Sequence, residues 1–91
     1  MKIFWTRKAQ DDLERIYKFA RQYSRQHAND VLDRLIEGTA SLGDCPAMGA
    51  LKARYKPREV RKMIFDEYEV HYEIQGAAIS ILDLWHCRED R

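Results

Sequence analysis

The sequence predicts an α+β fold in which an N-terminal strand and an antiparallel two-helix hairpin pack on a C-terminal antiparallel β-sheet. Apolar residues recur at helical spacing in two stretches of the first half, and they alternate with polar residues in the second half. A chain of 91 residues can bury only one core. We therefore expect a single domain over residues 1–91.

The first half contains a short strand and two helices. Residues 3–5 are rich in β-formers, and Thr6 is a residue type that caps a following helix. Helical periodicity then runs over residues 7–23 and resumes over residues 28–42, where Gly43 ends it. Because the link between the two helices is short, we expect them to lie antiparallel.

The second half is predicted to be mostly strands. Glycine and proline mark residues 43–57 as an irregular connection, with a short strand at 51–55. Residues 58–65 and 68–74 are strand-like and are separated by a two-residue turn. Residues 78–85 are apolar at both odd and even positions, so we expect this strand to be covered on both faces in the centre of the sheet.

The clearest strand has one apolar face and one polar face. We predict that Tyr68, Val70, Tyr72 and Ile74 are buried and that Glu69, His71, Glu73 and Gln75 face water. Tyr17 and Tyr23 also lie on apolar stripes, so we interpret these tyrosines as core residues rather than as base-stacking platforms.

Composition excludes several classes of protein. The chain has 45% hydrophobic residues and a net charge of only +1, which favours a globular domain over a disordered polyelectrolyte. No apolar run approaches the roughly 20 residues that span a bilayer, and no apolar signal segment opens the chain. We therefore expect a cytoplasmic protein with no membrane partner and with Cys45 and Cys87 reduced.

Neither a cofactor nor a metal is expected. Cysteine and histidine residues lack the paired spacing of zinc ligands, and the four glycines are scattered rather than grouped in a phosphate-binding loop.

Basic residues are concentrated in one stretch of the second half: Lys52, Arg54, Lys56, Arg58, Arg61 and Lys62. Such a stretch could bind phosphates or an acidic protein segment. Alternatively, it is a solvated strand edge of the kind that lysine and arginine protect against aggregation. The sequence leaves these interpretations open.

The end of the chain combines Trp85, His86 and Arg88 where the last predicted strand leaves the sheet. His86 could act as a general acid or base. A lone histidine is more often held by structural hydrogen bonds, and no nucleophile or carboxylate stands at a fixed short spacing from it.

Three features of the sequence resemble the RelE/ParE superfamily of type II toxin–antitoxin toxins. Residues 3–13 are similar to the family's first strand and the helix that follows it. Residues 58–61 and 68–74 look like its Arg-Glu-hydrophobic-Arg strand and tyrosine-centred partner, and residues 79–90 look like its final strand with a His-x-Arg-x-Asp ending. The resemblance covers nearly the whole chain.

The resemblance implies the fold predicted above and an antitoxin protein that binds the toxin as a hetero-oligomer. It also implies one of two toxic activities, inhibition of DNA gyrase (ParE-like) or cleavage of mRNA on the ribosome (RelE-like). RNA-cleaving members generally place an arginine after the strand tyrosine, but here Glu69 follows Tyr68 and would repel phosphate. The ending also looks more like the ParE branch.

We therefore favour a gyrase-binding toxin that breaks no bond itself. The expected target-binding residues are Arg58, Arg61, Trp85, His86 and Arg88, with the guanidinium groups and the Trp85 indole converging on one cationic surface. The alternative is a ribosome-dependent mRNA endonuclease with catalytic residues Arg61, Lys62, His86 and Arg88. A second alternative is a non-toxic module that only binds antitoxin.

Overall fold

The computed structural model describes residues 1–89 of the chain. In chain order its elements are β1 (Lys2–Trp5), α1 (Arg7–Arg21), α2 (Arg25–Ser41), a 3₁₀ turn (Pro46–Met48), β2 (Ala50–Leu51), a second 3₁₀ turn (Ala53–Tyr55), β3 (Glu59–Phe65), β4 (Tyr68–Gln75) and β5 (Ala78–His86). The predicted α+β architecture is confirmed. Neither helix of the described part is long and apolar enough to cross a bilayer.

The five strands form one sheet in the order β1-β5-β4-β3-β2. The pairs β2–β3, β3–β4 and β4–β5 are antiparallel, as predicted. β1 is added parallel to β5, so the complete sheet is mixed. The helical hairpin intervenes between β1 and the C-terminal strands, and a connection of that length allows a parallel pairing.

Both helices begin at a capping hydroxyl. Thr6 accepts a hydrogen bond from the Ala9 N–H at 3.1 Å, as the sequence predicts. Ser24 accepts one from the His27 N–H at 2.9 Å, so α2 begins three residues earlier than its apolar pattern indicates. The first turn of α2 carries mostly polar residues, which the periodicity of apolar positions does not reveal.

The connection before β3 differs from the prediction. The expected strand over residues 51–55 is only the two-residue β2, and it is followed by the 3₁₀ turn Ala53–Tyr55. Tyr72 holds the connection from inside, because its hydroxyl donates to the Pro46 carbonyl and accepts from the Gly49 N–H. A Cβ atom at Gly49 would lie 2.7 Å from that hydroxyl, so this close approach requires glycine.

A β-bulge explains why β5 is apolar at both odd and even positions. His71 pairs with Asp83 whereas Tyr72 pairs with Ile81, which leaves Leu82 as the extra residue of β5. The buried positions therefore change parity within the strand, from Ile79 and Ile81 to Leu84. Every residue of β5 is buried or half-buried and the strand lies between β1 and β4, as the sequence predicts.

The core lies between the helical hairpin and one face of the sheet. Its buried members come from both helices and from β4 and β5: Ala9, Ile16, Ala20, Ala28, Val31, Leu35, Leu42, Val70, Tyr72, Ile79, Ile81 and Leu84. Tyr17 and Tyr68 pack against this core, as predicted. Tyr23 does not, because it is 73% exposed beyond the end of α1, and that prediction was wrong.

The prediction of a wet second face on β4 was wrong at three of its four positions, since the side chain of Glu69 is only 13% exposed. His71 is only 9% exposed and Glu73 only 6%. Each is covered by polar partners from neighbouring segments. Burial of a charged group is tolerated where it is paired and hydrogen-bonded, so alternation alone did not reveal this arrangement.

A buried carboxylate joins α1 to the sheet. The parallel pairing of β1 with β5 ends at Ile81, so the backbone of Leu84 lies beyond the last residue of β1. The Leu84 N–H donates to Asp12 Oδ2 at 3.1 Å, and Arg15 Nη2 donates to the Leu84 carbonyl at 3.1 Å. Asp12 also binds Lys8 Nζ at 2.6 Å and Arg15 Nη1 at 2.5 Å. Side chains of α1 thus replace strand pairing at this edge.

Replacing Asp12 tests this junction. We expect Asp12→Ala to lower the free energy of unfolding by about 2–4 kcal/mol, because it leaves the Leu84 N–H buried without an acceptor and removes the carboxylate that pairs with Lys8 and Arg15. Urea denaturation measures the change. Asp11→Ala is the matched control, since that exposed carboxylate makes only a 3.6 Å pair with Arg7, and its cost should stay below about 0.5 kcal/mol. Equal losses for the two variants would contradict the assigned role of Asp12.

Candidate interaction surface

An open groove of about 550 Å³ lies between the C-terminal half of α1 and the adjoining ends of β4 and β5. We call it the hairpin groove. Its apolar wall consists of Ile16, Phe19, Ala20, Tyr23 and Tyr68. Phe19 is 59% exposed and makes an edge-on contact with Tyr23, with ring centroids 5.7 Å apart. An exposed aromatic pair beside a groove is typical of a protein-binding surface.

The rim of the hairpin groove is polar and mixed in charge: Arg15, His27, Glu67, His86, Arg88 and Glu89. Arg15 and Glu89 form a two-pronged ion pair, with Nε–Oε2 and Nη2–Oε1 distances of 3.1 Å. Glu89 also accepts the His86 N–H at 2.8 Å. These contacts fix the segment after β5 against α1, so the groove has a defined second wall.

His86 is held by its neighbours at the groove. Its Nδ1 accepts the Arg88 N–H at 3.1 Å, and its Nε2 lies 3.4 Å from a carboxylate oxygen of Glu67. The ring also meets Tyr68 edge-on with centroids 5.2 Å apart. Burial, together with the negative charges of Glu67, Asp66 and Glu89, raises the pKa of Tyr68, so its hydroxyl stays protonated at neutral pH. Both nitrogens of His86 thus have structural partners.

Trp85 is covered by cations of α1 rather than being free to anchor a partner. Lys8 Nζ lies 4.5 Å and Arg15 Cζ 5.0 Å from the centroid of its ring. Its indole also hydrogen-bonds to the Asp83 carboxylate. Trp85 therefore helps to attach α1 to β5.

The two arginines near the start of β3 have different surroundings. Arg58 makes a two-pronged ion pair with the buried Glu73 at 3.0 and 2.7 Å, while its own side chain stays 53% exposed. The hydrogen bonds from Arg58 hold the pKa of Glu73 below its ordinary value. Arg61 is only 19% exposed and donates to the Gly49 carbonyl at 2.7 Å, besides pairing with Glu59. Arg61 therefore helps to hold the connection before β2.

The expected convergence of these side chains on one cationic surface was wrong. Arg61 pairs in register with Tyr72, and Trp85 pairs with Glu69, three positions away on β4 and so on the opposite face of the sheet. Arg58 precedes Glu59, which pairs with Ile74. Ile74 and Glu69 are five residue steps apart along β4, or about 17 Å. His86 and Arg88 lie together at the hairpin groove, whereas Arg58 and Arg61 both line a second pocket near the start of β3.

The alternative catalytic set is also dispersed. Lys62 pairs with His71, so it lies on the face of the sheet opposite to Arg61. His86 pairs with Tyr68 at the far end of β4, next to Arg88. The four residues do not surround one position that a scissile phosphate could occupy. This separation does not favour the endonuclease alternative.

The helix-free face of the sheet carries a polar cluster that sequence reasoning missed. His71 Nδ1 lies 2.5 Å from Asp83 Oδ1, and His71 Nε2 lies 2.9 Å from Glu69 Oε2 and 3.4 Å from Lys52 Nζ. Burial raises the pKa of Asp83, but the hydrogen bond and charge of His71 outweigh it and hold that pKa below its ordinary value. The sequence signal for this cluster is the alternation of Glu69, His71 and Glu73 along β4.

Comparisons with known proteins agree with this architecture. The family model described as the ParE toxin of type II toxin-antitoxin system, parDE, matches residues 3–91. The chain is also similar to a solved structure titled "Chromosomal ParDE TA system from P. aeruginosa", with 25% sequence identity, a TM-score of 0.79, and coverage of 94% of this chain and 95% of that chain. The comparison with curated proteins finds no match.

The fold and the exposed groove define a small α+β domain with a surface suited to a protein partner. Because the family model spans nearly the whole sequence, the chain belongs to the ParE toxin family of type II toxin–antitoxin systems. The resemblance to the RelE/ParE superfamily that the sequence indicated is thereby confirmed.

Acid should release the segment after β5, which forms the second wall of the hairpin groove. Burial raises the pKa of Glu89, but hydrogen bonds from Arg15 and from the His86 N–H outweigh it, so the pKa lies below its ordinary value. Because the pKa of Glu89 is lower in the folded state than in the unfolded state, its carboxylate stabilises the fold fully above the unfolded-state pKa of about 4.3. This stabilisation is lost as the pH falls through the folded-state pKa.

We therefore expect Glu89→Gln to be less stable than the natural chain at pH 7, with a difference that shrinks below about pH 4. Urea denaturation at several pH values measures it. Glu37→Gln, which removes an exposed carboxylate from α2, corrects for the loss of one negative charge. A Glu89→Gln difference that stays constant from pH 7 to pH 3 would refute the role of the ionised carboxylate.

Proposed function

We propose that this ParE-family toxin arrests growth in the cytoplasm by binding DNA gyrase and that a cognate antitoxin neutralises it. The observation that carries the proposal is the hairpin groove, where an apolar aromatic wall is exposed beside Arg88 on a chain of this family. Exposed aromatic rings and arginine are the side chains that most often dominate the energy of protein interfaces. The toxin acts by binding, without breaking a bond.

The hairpin groove offers one surface to both partners. Arg88 and His86 belong to the expected target-binding set, and both line this groove. An antitoxin helix that buries Phe19 and Tyr23 would cover Arg88 at the same time. Neutralisation then follows from occlusion, since gyrase and antitoxin compete for the same rim.

The sheet edge beside the groove offers a second contact to an antitoxin. β2 pairs only with Arg61 and Lys62, so residues 63–65 of β3 present an edge without a strand partner among residues 1–89. That part ends at Phe65, which pairs with the groove residue Tyr68. Ile64 lies on it and is 49% exposed. An extended antitoxin segment can add to this edge through main-chain hydrogen bonds while a helix fills the groove.

Gyrase inhibition is the direct test. We expect the purified chain to block supercoiling of relaxed plasmid by gyrase at near-stoichiometric amounts. Arg88→Ala should raise the required concentration by about tenfold or more, because it removes an exposed arginine from the rim. Lys2→Ala is the matched control, since it removes an exposed cation near the opposite end of β5 and should leave inhibition unchanged.

Two outcomes would overturn the proposal. Supercoiling that continues in excess toxin would exclude gyrase as the target. Codon-specific mRNA cuts in a translating extract, abolished by His86→Ala, would support the endonuclease alternative in its place.

A further inference from the structure

Residues 52–58 form a concentrated patch of positive charge. The segment reads Lys-Ala-Arg-Tyr-Lys-Pro-Arg and contains four cations and no acid. The whole chain carries +1, of which this segment supplies +4, so the other residues sum to −3. We call residues 52–58 the basic turn.

Protection of a strand edge does not account for the basic turn. β2 consists only of Ala50–Leu51, and Ala53–Tyr55 form a 3₁₀ turn. The cations of the basic turn therefore lie outside a strand edge that could aggregate. Lys56 and Arg54 are exposed, and neither lies within ion-pair distance of a carboxylate of residues 1–89. Arg58 is half exposed although it pairs with Glu73. Adjacent like charges repel one another unless a negative partner is bound.

The single aromatic ring of the basic turn is already covered. Arg54 Cζ lies 4.8 Å and Arg58 Cζ 5.8 Å from the centroid of Tyr55, and Arg54 Nη2 donates to the Tyr55 hydroxyl at 2.6 Å. The ring therefore orients two guanidinium groups instead of offering a free face. Proteins that bind single-stranded nucleic acid rely on free aromatic faces for base stacking.

We propose that the basic turn binds the phosphate backbone of duplex DNA without sequence preference. Duplex DNA carries a dense array of phosphates, and lysine and arginine that neutralise them release condensed counterions. Backbone contacts need charge and exposure but no base-reading side chain. Arg54, Lys56 and the outer part of Arg58 meet these requirements.

An acidic protein segment fits the basic turn less well. Protein interfaces are depleted in lysine and depend on a buried apolar or aromatic anchor. Half of the four cations here are lysines, and the one large ring lies under guanidinium groups. The DNA contact goes beyond the proposed inhibition of gyrase and holds whether or not gyrase is the target.

Fluorescence anisotropy of a labelled 20-base-pair duplex, titrated with the purified full chain from 50 to 200 mM salt, tests the proposal. We expect the double variant Arg54→Gln and Lys56→Gln to bind about tenfold more weakly at 50 mM salt. The negative slope of log K against log salt should become shallower by about 2. The charge-conserving pair Arg54→Lys and Lys56→Arg should retain binding.

The matched control is Arg21→Gln with Arg25→Gln, which removes two exposed charges at the last residue of α1 and the first residue of α2. It should keep the natural salt slope. If both double variants lost the same DNA affinity, the loss would follow from the change in net charge alone, and the proposal would be overturned. No loss in either variant would overturn it as well, as would tighter binding to single-stranded RNA or to a polyglutamate peptide than to the duplex.

Discussion

One buried carboxylate determines how the helical hairpin meets the sheet. Asp12 accepts the Leu84 N–H at the point where β5 has lost its pairing with β1, and it is flanked by Lys8 and Arg15. Arg15 then continues to the Leu84 carbonyl and to Glu89. The position of α1, and with it the wall formed by Phe19 and Tyr23, therefore depends on this chain of charged hydrogen bonds, which are stronger than neutral ones.

The opposite face of the sheet is closed by polar groups in place of a second helical layer. Glu73 is buried beneath Arg58, and His71 lies between Asp83 and Glu69. No buried side-chain nitrogen or oxygen of residues 1–89 lacks a hydrogen-bond partner. Such a satisfied network can hold neighbouring strands in register. It also engages charges that the sequence presents as available for binding, whereas Arg54, Lys56 and Arg88 stay exposed.

Periodicity and turn chemistry predicted the order of elements and most of their bounds. They work because residues 7–42 and 59–75 follow their local preferences, and because Thr6 caps as its residue type indicates. The bulge at Leu82, the burial of His71 and the engagement of Arg61 by the Gly49 carbonyl all depend on contacts between distant segments. A pattern within one strand carries no information on such contacts. For the same reason the sequence indicated His86 and Arg88 but not Phe19, which lies outside the apolar stripe that the periodicity of α1 assigns to the core.

The central claim is that the hairpin groove is the surface through which this toxin meets its antitoxin. It is tested most directly by the affinity of the chain for the antitoxin, measured calorimetrically for Phe19→Ala combined with Tyr23→Ala. Phe4→Ala is the control, because that phenylalanine is 53% exposed on β1. We expect the groove variant to bind at least about 100-fold more weakly, as truncation of two interface anchors implies, and the control to bind normally. Unchanged affinity of the groove variant, or an equal loss in the control, would contradict the account.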